Sequence, residues 1–318
     1  MIKILQGNCI DKIKELDDNS IDCVVSSPPY FGLRDYGVDG QFGLEKTYHD
    51  YLANTVKVFK TFKPKLKDTA TIWWNVGDSY HNYRPTNNKQ GMYKKPDYPK
   101  QSIAGNRQDL PKHSLKRNQR YQEIKEKDLM MIPNRVAIAL QDAGWYIRSE
   151  IIWHKPNPMP ESVRDRPTSC HEKIWLITKN KKYYYDHEAI KEPAKDWGTR
   201  DRKKGSAFVD ATPGRSKQTG GKDCNFAEKG KNKRNVWTIT TKPFKDAHFA
   251  TFPKDLIEPC IKAGCPEGGV VLDPFGGSGT TGIVAALNNR NAILIELNQN
   301  YIDIANKRID KEVGLFSG

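Results

Sequence analysis

The sequence lacks the features that mark membrane-spanning, disulfide-linked and metal-binding proteins. No apolar run in its 318 residues approaches the roughly 20 that a membrane-spanning helix needs. The six cysteines include no CxxC pair and the seven histidines no HxxxH spacing, so no zinc site is predicted. We therefore expect a cytoplasmic protein with reduced cysteines, no metal ion and no attachment to a membrane.

Acidic residues are few relative to basic ones. The chain carries 52 Lys and Arg against 38 Asp and Glu, a formal charge of +14. Two stretches hold the excess: residues 81–127 contain 12 basic and 4 acidic residues, and residues 190–245 contain 15 and 6. Both show little apolar periodicity, so we expect long loops or small subdomains. Such charge favours a polyanionic partner, although solvated, disordered insertions would have the same composition.

Outside these stretches, short apolar runs alternate with helical periodicity. Strands are predicted at 1–6, 22–26, 69–76, 146–153, 173–178, 270–273 and 292–296. Helices are predicted at 47–62 with Thr47 as cap, 128–143 with Asp128 as cap, 252–263, 280–288 and 300–310. This alternation predicts an α/β protein with a doubly wound, mostly parallel sheet.

A glycine-rich turn follows the strand that ends at Asp273. Its glycines permit a close approach of the backbone to a ligand, and the helix beginning at Thr280 would direct free N–H groups toward it. Glu296 ends the next strand 23 residues later, near the roughly 20-residue offset at which an acidic residue meets ribose hydroxyls. No lysine follows the glycines, as it would in a phosphate-binding loop. The pattern favours a nucleoside-like ligand with a cationic centre; a tight turn with two surface acidic residues is the alternative.

A proline-fixed turn, Ser27–Tyr30 (SPPY), directly follows the predicted strand 22–26. An exocyclic amine needs acceptors for its two N–H groups, and the Ser27 oxygen and the Pro28 carbonyl could provide them. Tyr30 could stack on a base rotated out of a duplex. Taken alone, four residues of this type are also compatible with an ordinary turn.

Together, Ser27–Tyr30 and Asp273–Thr281 (DPFGGSGTT) resemble the two signature motifs of the DNA amino-methyltransferases. The catalytic motif precedes the cofactor motif, which resembles the β group, a circular permutation of the usual order. Further segments agree with this family, namely 7–9, 32–37, 41–45, 75–80, 153–158, 166–168, 171–172 and 248–253. The resemblance implies a doubly wound mixed sheet of the S-adenosylmethionine-dependent type. It also implies methyl transfer from S-adenosylmethionine to an exocyclic amine of a base in double-stranded DNA.

The resemblance assigns roles to individual residues. Those that would bind and activate the target amine are Ser27, Pro28, Pro29 and Tyr30. Those that would hold the cofactor are Asn8, Cys9, Phe249, Thr251, Phe252, Pro253, Asp273, Phe275, Gly276, Gly277, Ser278, Gly279, Thr280, Glu296 and Leu297. Asn8 stands where an aspartate is common. Contacts with DNA are expected from Arg34, Arg202, Lys203, Lys204, Lys231, Lys233 and Arg234.

The resemblance also divides the chain. Residues 1–80 form the catalytic part, 81–127 a basic insertion, 128–189 a continuation, 190–245 the target-recognition region and 246–318 the cofactor part. We expect N4 of cytosine as the target, because serine at position 27 is typical of cytosine enzymes; N6 of adenine is the alternative. Methyl transfer to RNA or to a protein amide, and DNA binding without catalysis, are less favoured. A restriction endonuclease in the same system and a homodimer are open expectations.

Three other groups of residues are interpreted as structural. Cys170-His171 suggests a thiol nucleophile, but transfer to an amine needs no covalent enzyme intermediate, so packing at a strand edge is expected. Tyr183–Tyr185 could stack on nucleic acid, but alternation at a strand end, with at least one ring in the core, is favoured. Trp73 and Trp74 are predicted to be buried in a strand.

Overall fold

The computed structural model describes residues 1–33, 36–38, 40–81, 123–194, 230–241 and 252–314, which contain one eight-stranded sheet flanked by helices. The strands are β1 (Ile2–Gln6), β2 (Ile21–Ser26), β3 (Leu66–Val76), β4 (Tyr146–His154), β5 (His171–Thr178), β6 (Val236–Thr238), β7 (Val270–Asp273) and β8 (Asn291–Glu296). The helices are α1 (Cys9–Lys14), α2 (Tyr48–Phe62), α3 (Ile132–Asp142), α4 (Lys254–Gly264), α5 (Thr280–Leu287) and α6 (Gln299–Glu312). Single 3₁₀ turns lie at Lys63–Lys65 and Glu188–Ile190.

The strand order is β1-β8-β7-β2-β3-β5-β4-β6. Only β5 runs against its neighbours β3 and β4, while the other pairings are parallel. The doubly wound mixed sheet is therefore confirmed. Strand β2 lies between β3, the next strand in the sequence, and β7, which comes much later in the sequence. Ligands of open α/β sheets bind at the carboxyl ends of the strands where the order reverses in this way.

Both faces of the sheet are covered, so the central strands are largely buried on both sides. All six residues of β2 are buried. Trp73 and Trp74 are adjacent in β3 and therefore enter opposite cores, as the period of two in a strand requires. Trp74 packs edge-on against Phe59 of α2, with ring centroids 4.9 Å apart. The predicted burial of both tryptophans is confirmed.

Local capping fixes where α2 begins. The Thr47 side chain accepts from the Asp50 backbone N–H at 3.1 Å, and the Asp50 carboxylate accepts from the Thr47 N–H at 3.1 Å. This reciprocal capping box satisfies donors that the first helical turn leaves free. The predicted start of α2 is confirmed.

Helix α3 begins later than predicted. It starts at Ile132, not at Asp128, and Asp78 from the end of β3 accepts from the Ile132 N–H at 3.1 Å. The Asp128 carboxylate instead accepts from the Lys125 N–H at 2.9 Å. The prediction of Asp128 as cap was wrong because the N-cap is Met131 and the side-chain acceptor at this end of α3 is Asp78, which follows β3.

Two further features of the structure differ from the sequence-based predictions. Tyr183–Tyr185 do not lie in a strand and none of them is fully buried; Tyr185 is 40% exposed and stacks on Trp73 at 6.3 Å. Strand β6 was not predicted, and it extends the sheet beside β4.

In the part of the chain that the structure describes, no helix is long and apolar enough to cross a bilayer.

Candidate active site

Four neighbouring parallel strands bring the predicted motifs to one edge of the sheet. Strands β2 and β7 pair directly, with Cys23 opposite Val271 and Val24 opposite Leu272. The turn Ser27–Tyr30 after β2 therefore lies beside the glycine turn after β7. Strand β8 lies on the far side of β7 and β1 beyond it, so the ends of both strands join the same edge.

Asp273 connects the two turns. Its Oδ1 accepts from the Ser26 hydroxyl at 2.6 Å and from the Phe275 N–H at 3.0 Å, and its Oδ2 accepts from the Thr281 hydroxyl at 2.5 Å. Asp273 is only 1% exposed. The predicted cofactor residue thus holds the catalytic strand, the glycine turn and the start of α5 in one arrangement.

Burial raises the pKa of Asp273 from its usual 3.8 to about 6. Because this pKa lies above the unfolded value, the contribution of Asp273 to stability is full below about pH 4 and is lost as pH rises through about 6. The difference of about two pKa units corresponds to about 3 kcal/mol. Relative to Asp273→Asn, the wild type should lose up to about this free energy of unfolding between about pH 4 and pH 7. Urea denaturation measures it, and a difference independent of pH would contradict the buried carboxyl.

The glycine turn contains two glycines that the protein itself requires. A Cβ on Gly276 would lie 2.9 Å from Leu294 Cβ, and one on Gly279 would lie 3.0 Å from Ala305 Cβ. Gly279 also has φ of +80°, a conformation that other residues rarely adopt. Packing against β8 and α6 therefore explains these positions without reference to a ligand.

Gly277 also has a positive φ, of +51°, but its surroundings differ. A Cβ there would meet only the Phe275 carbonyl oxygen, at 3.9 Å, so this side of the turn is open. With Gly279 and Gly282 it has the GxGxxG spacing, in which the last glycine allows a helix to pack closely on the sheet. A Cβ on Gly282 would indeed lie 2.9 Å from Leu294 Cδ1. The open face of Gly277 is where a ligand can approach the backbone.

Arg308 of α6 holds the outer side of the glycine turn. Its guanidinium donates to the Ser278 carbonyl at 2.6 Å, to the Ser278 hydroxyl at 2.7 Å and to the Thr280 hydroxyl at 3.0 Å. Burial lowers the pKa of Arg308. The hydroxyls of Ser278 and Thr280, two residues predicted to bind the cofactor, therefore both accept from Arg308. Arg308 was not predicted, because its partners lie 28 and 30 residues earlier and no local pattern connects them.

Glu296 completes the cofactor side of the site at the end of β8. Its carboxylate accepts from the Gly277 N–H and the Asn298 N–H, both at 2.8 Å, and burial raises its pKa. A carboxylate has about four acceptor positions, so capacity remains for hydroxyl groups of a ligand. Asn8 lies close by, since the neighbouring Gly7 donates to the Glu296 carbonyl at 3.0 Å. These residues therefore fit a ligand that contains a nucleoside, whose ribose hydroxyls Glu296 would accept from.

The other predicted cofactor residues have the following surroundings. The Asn8 side chain accepts from the Ile10 N–H at 2.9 Å and caps α1, and burial raises the pKa of the Cys9 thiol to about 12. The ring of Phe275 lies 5.3 Å from that of Phe42. Pro253 is buried at the start of α4. Leu297 and Phe252 are half-buried, while Phe249 and Thr251 lie outside the described residues.

Tyr30 is held at its hydroxyl and along its ring. Its Oη donates to Glu172 Oε2 at 2.6 Å, lies 3.0 Å from Asn75 Oδ1 and accepts from the Ser27 hydroxyl at 3.2 Å. A Cβ on Gly77 would lie 2.5 Å from Tyr30 Cε2, so the ring edge rests on the Gly77 backbone. Asn75, Gly77 and Glu172 lie in segments that resemble the family, 75–80 and 171–172, but their contacts with Tyr30 were not predicted.

Gly77→Ala should displace Tyr30, because the added methyl group would overlap the ring. A misplacement of about 1 Å in a catalytic group can reduce the rate about 100-fold, so we expect a loss of about 10- to 100-fold in turnover with cofactor affinity unchanged. The control is Gly314→Ala, whose Cβ would meet nothing within 4 Å. Full turnover by Gly77→Ala would show that the position of the ring is not needed.

Comparisons with known proteins identify the family of this chain. A family model described as DNA methylase, of the N6 and N4 type, matches residues 21–307. The chain belongs to the DNA methylase family. It is 42% identical to the Type II methyltransferase M.Cfr9I of Citrobacter freundii over 97% of this chain and 88% of that one. It is 43% identical to the Type II methyltransferase M.SmaI of Serratia marcescens over 96% and 90%.

Solved methyltransferases share the fold of this DNA methylase. The cytosine-N4-specific PvuII DNA methyltransferase superposes with a TM-score of 0.63 at 17% identity, over 96% of this chain and 86% of that one. M1.HpyAVI, solved in complex with S-adenosylmethionine, has a TM-score of 0.53 at 17% identity, over 98% of this chain and 100% of that one. The family uses S-adenosylmethionine, as the resemblance implied.

Several predicted DNA-binding residues of the methylase have partners within the protein. Lys231 and Arg234 both pair with Glu192, at 3.8 and 3.1 Å, and Lys233 lies 5.1 Å above the Trp237 ring. Residues 34 and 202–204 lie outside the described residues. In the described part, no group of three or more His, Cys, Asp or Glu could hold a metal ion.

Proposed function

We propose that this DNA methylase transfers the methyl group of S-adenosylmethionine to N4 of a cytosine that is rotated out of duplex DNA. The observation that carries the proposal is the direct attachment of the Ser27 turn to the cofactor turn through the Ser26–Asp273 hydrogen bond of 2.6 Å. Serine at position 27 supports cytosine over adenine. The PvuII enzyme, named as cytosine-N4-specific, shares the fold.

The protein acts mainly by positioning. When bound, the cofactor supplies an electrophilic methyl group. The Ser27 oxygen and the Pro28 carbonyl accept from the two N–H groups of the target amine, which fixes the direction of its nitrogen lone pair. Ser27 need not be a strong base, because the nitrogen loses its proton once it becomes positively charged. Orientation of two reactants in one site can by itself provide about 7–11 kcal/mol of the lowering of the barrier.

The modified base tests this proposal. DNA from a methylation-deficient host that expresses the protein is digested to nucleosides and analysed by mass spectrometry. We expect N4-methylcytosine from the wild type and far less of it from the Ser27→Ala variant. N6-methyladenine alone would reject cytosine while leaving the site intact. Transfer to RNA or protein but not to DNA in a purified assay would reject DNA as the substrate.

Residues 81–127 and 190–245 are proposed to contact DNA, the second as the target-recognition region. The resemblance to Type II methyltransferases also supports a restriction endonuclease encoded with this protein. It likewise supports a cytoplasmic location. A homodimer is proposed for the same reason, and sedimentation analysis measures it. The recognition sequence is obtained from the same cellular DNA by sequencing of modified bases.

DNA affinity should fall steeply with salt, because basic residues release counterions from phosphates. Replacing Arg202, Lys203 and Lys204 together with alanine should flatten the dependence of log affinity on log salt by up to about three units. Replacement of Lys3, Lys12 and Lys14 near β1 removes the same charge and is the control. If both triple variants give the same slope, the run 202–204 does not contact DNA.

A further inference from the structure

A line of three polar groups extends from the catalytic serine into the protein. The Ser27 hydroxyl donates to Tyr30 Oη at 3.2 Å, and Tyr30 Oη donates to Glu172 Oε2 at 2.6 Å. We propose that this hydroxyl relay (Ser27, Tyr30, Glu172) orients Ser27 toward the target amine and conducts the proton of the methylated amine to Glu172. In this proposal, which rests on the proposed function, Glu172 is a positioning residue and the final proton acceptor.

The acceptors beyond Tyr30 fix the direction of the relay. A phenol has one hydrogen, and both of its inner partners can only accept. Glu172 offers a carboxylate oxygen, and Asn75 offers Oδ1 at 3.0 Å because its Nδ2 donates to the Lys173 carbonyl at 3.1 Å. Whichever partner takes the hydrogen, the phenol oxygen is left to accept from Ser27. The shorter bond, to the charged group, is the stronger.

The direction of the relay leaves Ser27 as an acceptor toward the substrate. A serine hydroxyl has one hydrogen and two lone pairs. Since its hydrogen is directed at Tyr30, its lone pairs remain for an N–H of the target amine. A serine whose hydrogen pointed at the amine would compete for the nitrogen lone pair that must attack the methyl group.

Glu172 is held in place by Lys155. The Lys155 ammonium pairs with the second carboxylate oxygen, Oε1, and lies 4.3 Å above the Trp153 ring. The two charged side chains are only 20% and 16% exposed. Burial, and next the negative charge of Glu172, raise the pKa of Tyr30 well above its usual range, so the phenol keeps its hydrogen. The relay is therefore neutral at its two hydroxyls and negative at its inner end.

The proton transfer balances without another reagent. When the N–C bond forms, the amine nitrogen becomes positively charged. One of its protons moves to Ser27 Oγ, and the electron pair of that N–H bond returns to nitrogen. The original hydroxyl hydrogen of Ser27 moves to Tyr30 Oη, and the phenol hydrogen moves to Glu172 Oε2. Nitrogen ends neutral, both hydroxyls are restored, and Glu172 ends as a neutral acid that later releases its proton to water.

Three variants test the relay under single-turnover conditions with the full-length protein. Glu172→Gln keeps the shape but removes the charge, and Tyr30→Phe keeps the ring but removes the hydroxyl. Each should reduce the methylation rate about 100-fold, within the range for positioned proton transfer, with cofactor and DNA affinity changed less than about threefold. The double variant should be no slower than Tyr30→Phe alone, because both changes interrupt one path. The control is Asp68→Asn, which removes an 81% exposed carboxylate near the start of β3.

The outcomes separate the relay from the proposed function. If the wild type is active and Glu172→Gln methylates DNA within about twofold of its rate, the relay is overturned and the proposed function is not. The same holds if the losses of the two single variants multiply in the double variant. Should Glu172→Gln lower the thermal midpoint, Tyr30→Phe decides, and an unchanged rate in that variant would overturn the relay. A wild type that transfers no methyl group to DNA would overturn the proposed function and the relay with it.

Discussion

Ser27→Ala is expected to reduce methyl transfer to DNA by about 100- to 1,000-fold, which is typical of losing one preorganised hydrogen-bond partner of a reacting group. The substitution removes the side-chain acceptor for the target amine and the outer donor to Tyr30 Oη at 3.2 Å. The strand before it, β2, stays anchored, because Ser26 keeps its bond to Asp273. Cofactor and DNA affinity should therefore be nearly unchanged, and single-turnover kinetics measure the difference.

A matched serine separates this effect from general disturbance. Ser20 lies ahead of the same strand at its opposite end, where its hydroxyl donates to the Asp17 carbonyl at 2.7 Å. Ser20→Ala should retain full activity. A Ser27→Ala protein that methylates at more than about a tenth of the wild-type rate would contradict the role of Ser27, given the usual size of such effects.

The second large effect is expected from Asp273→Ala, which should weaken cofactor binding about 100-fold or more. Three hydrogen bonds to a buried carboxylate are lost, and each bond to a charged group contributes about 1.5–3 kcal/mol. Without them the Ser26 and Thr281 hydroxyls lose their partner and the glycine turn its shape. Calorimetry measures the cofactor affinity, while non-specific DNA binding should remain nearly intact.

Two variants accompany this prediction. Asp273→Asn keeps the volume and one acceptor oxygen, so we expect a smaller loss of affinity with a retained fold. Asp18→Ala removes a 71% exposed carboxylate and should have no effect. If Asp273→Ala lost cofactor and DNA binding equally and melted at lower temperature, its effect would be unfolding. If Asp273→Asn bound the cofactor like the wild type and Asp273→Ala did so too, the assigned role would be wrong.

Much of the fold follows from local sequence pattern. The start of α2 at Thr47 depends on a residue three positions away, and the burial of β2 is indicated by its short apolar run Cys23–Val25. Such features need no knowledge of distant residues. The position of Asp273 and Glu296 at strand ends was predictable for the same reason, because each strand carries its acidic residue with it.

The contacts that complete the site could not be predicted from local pattern. Tyr30 meets Glu172 across 142 sequence positions, and Asp78 caps a helix that begins 54 positions later. Arg308 reaches a turn 30 positions earlier. Each pairing depends on the order of strands in the sheet, which a single sequence does not encode in any short segment. The error at Asp128 arose in this way, since a suitable local cap was preferred to a distant one.

The most direct test of the account is methyl transfer by the purified protein from isotopically labelled S-adenosylmethionine to unmethylated duplex DNA, followed by identification of the labelled nucleoside. We predict label in N4-methylcytosine for the wild type and a loss of about 100-fold or more for Ser27→Ala. Label at carbon 5 of cytosine, or label in RNA or protein but not in DNA, would contradict an amino-methyltransferase site built from the Ser27 and Asp273 turns.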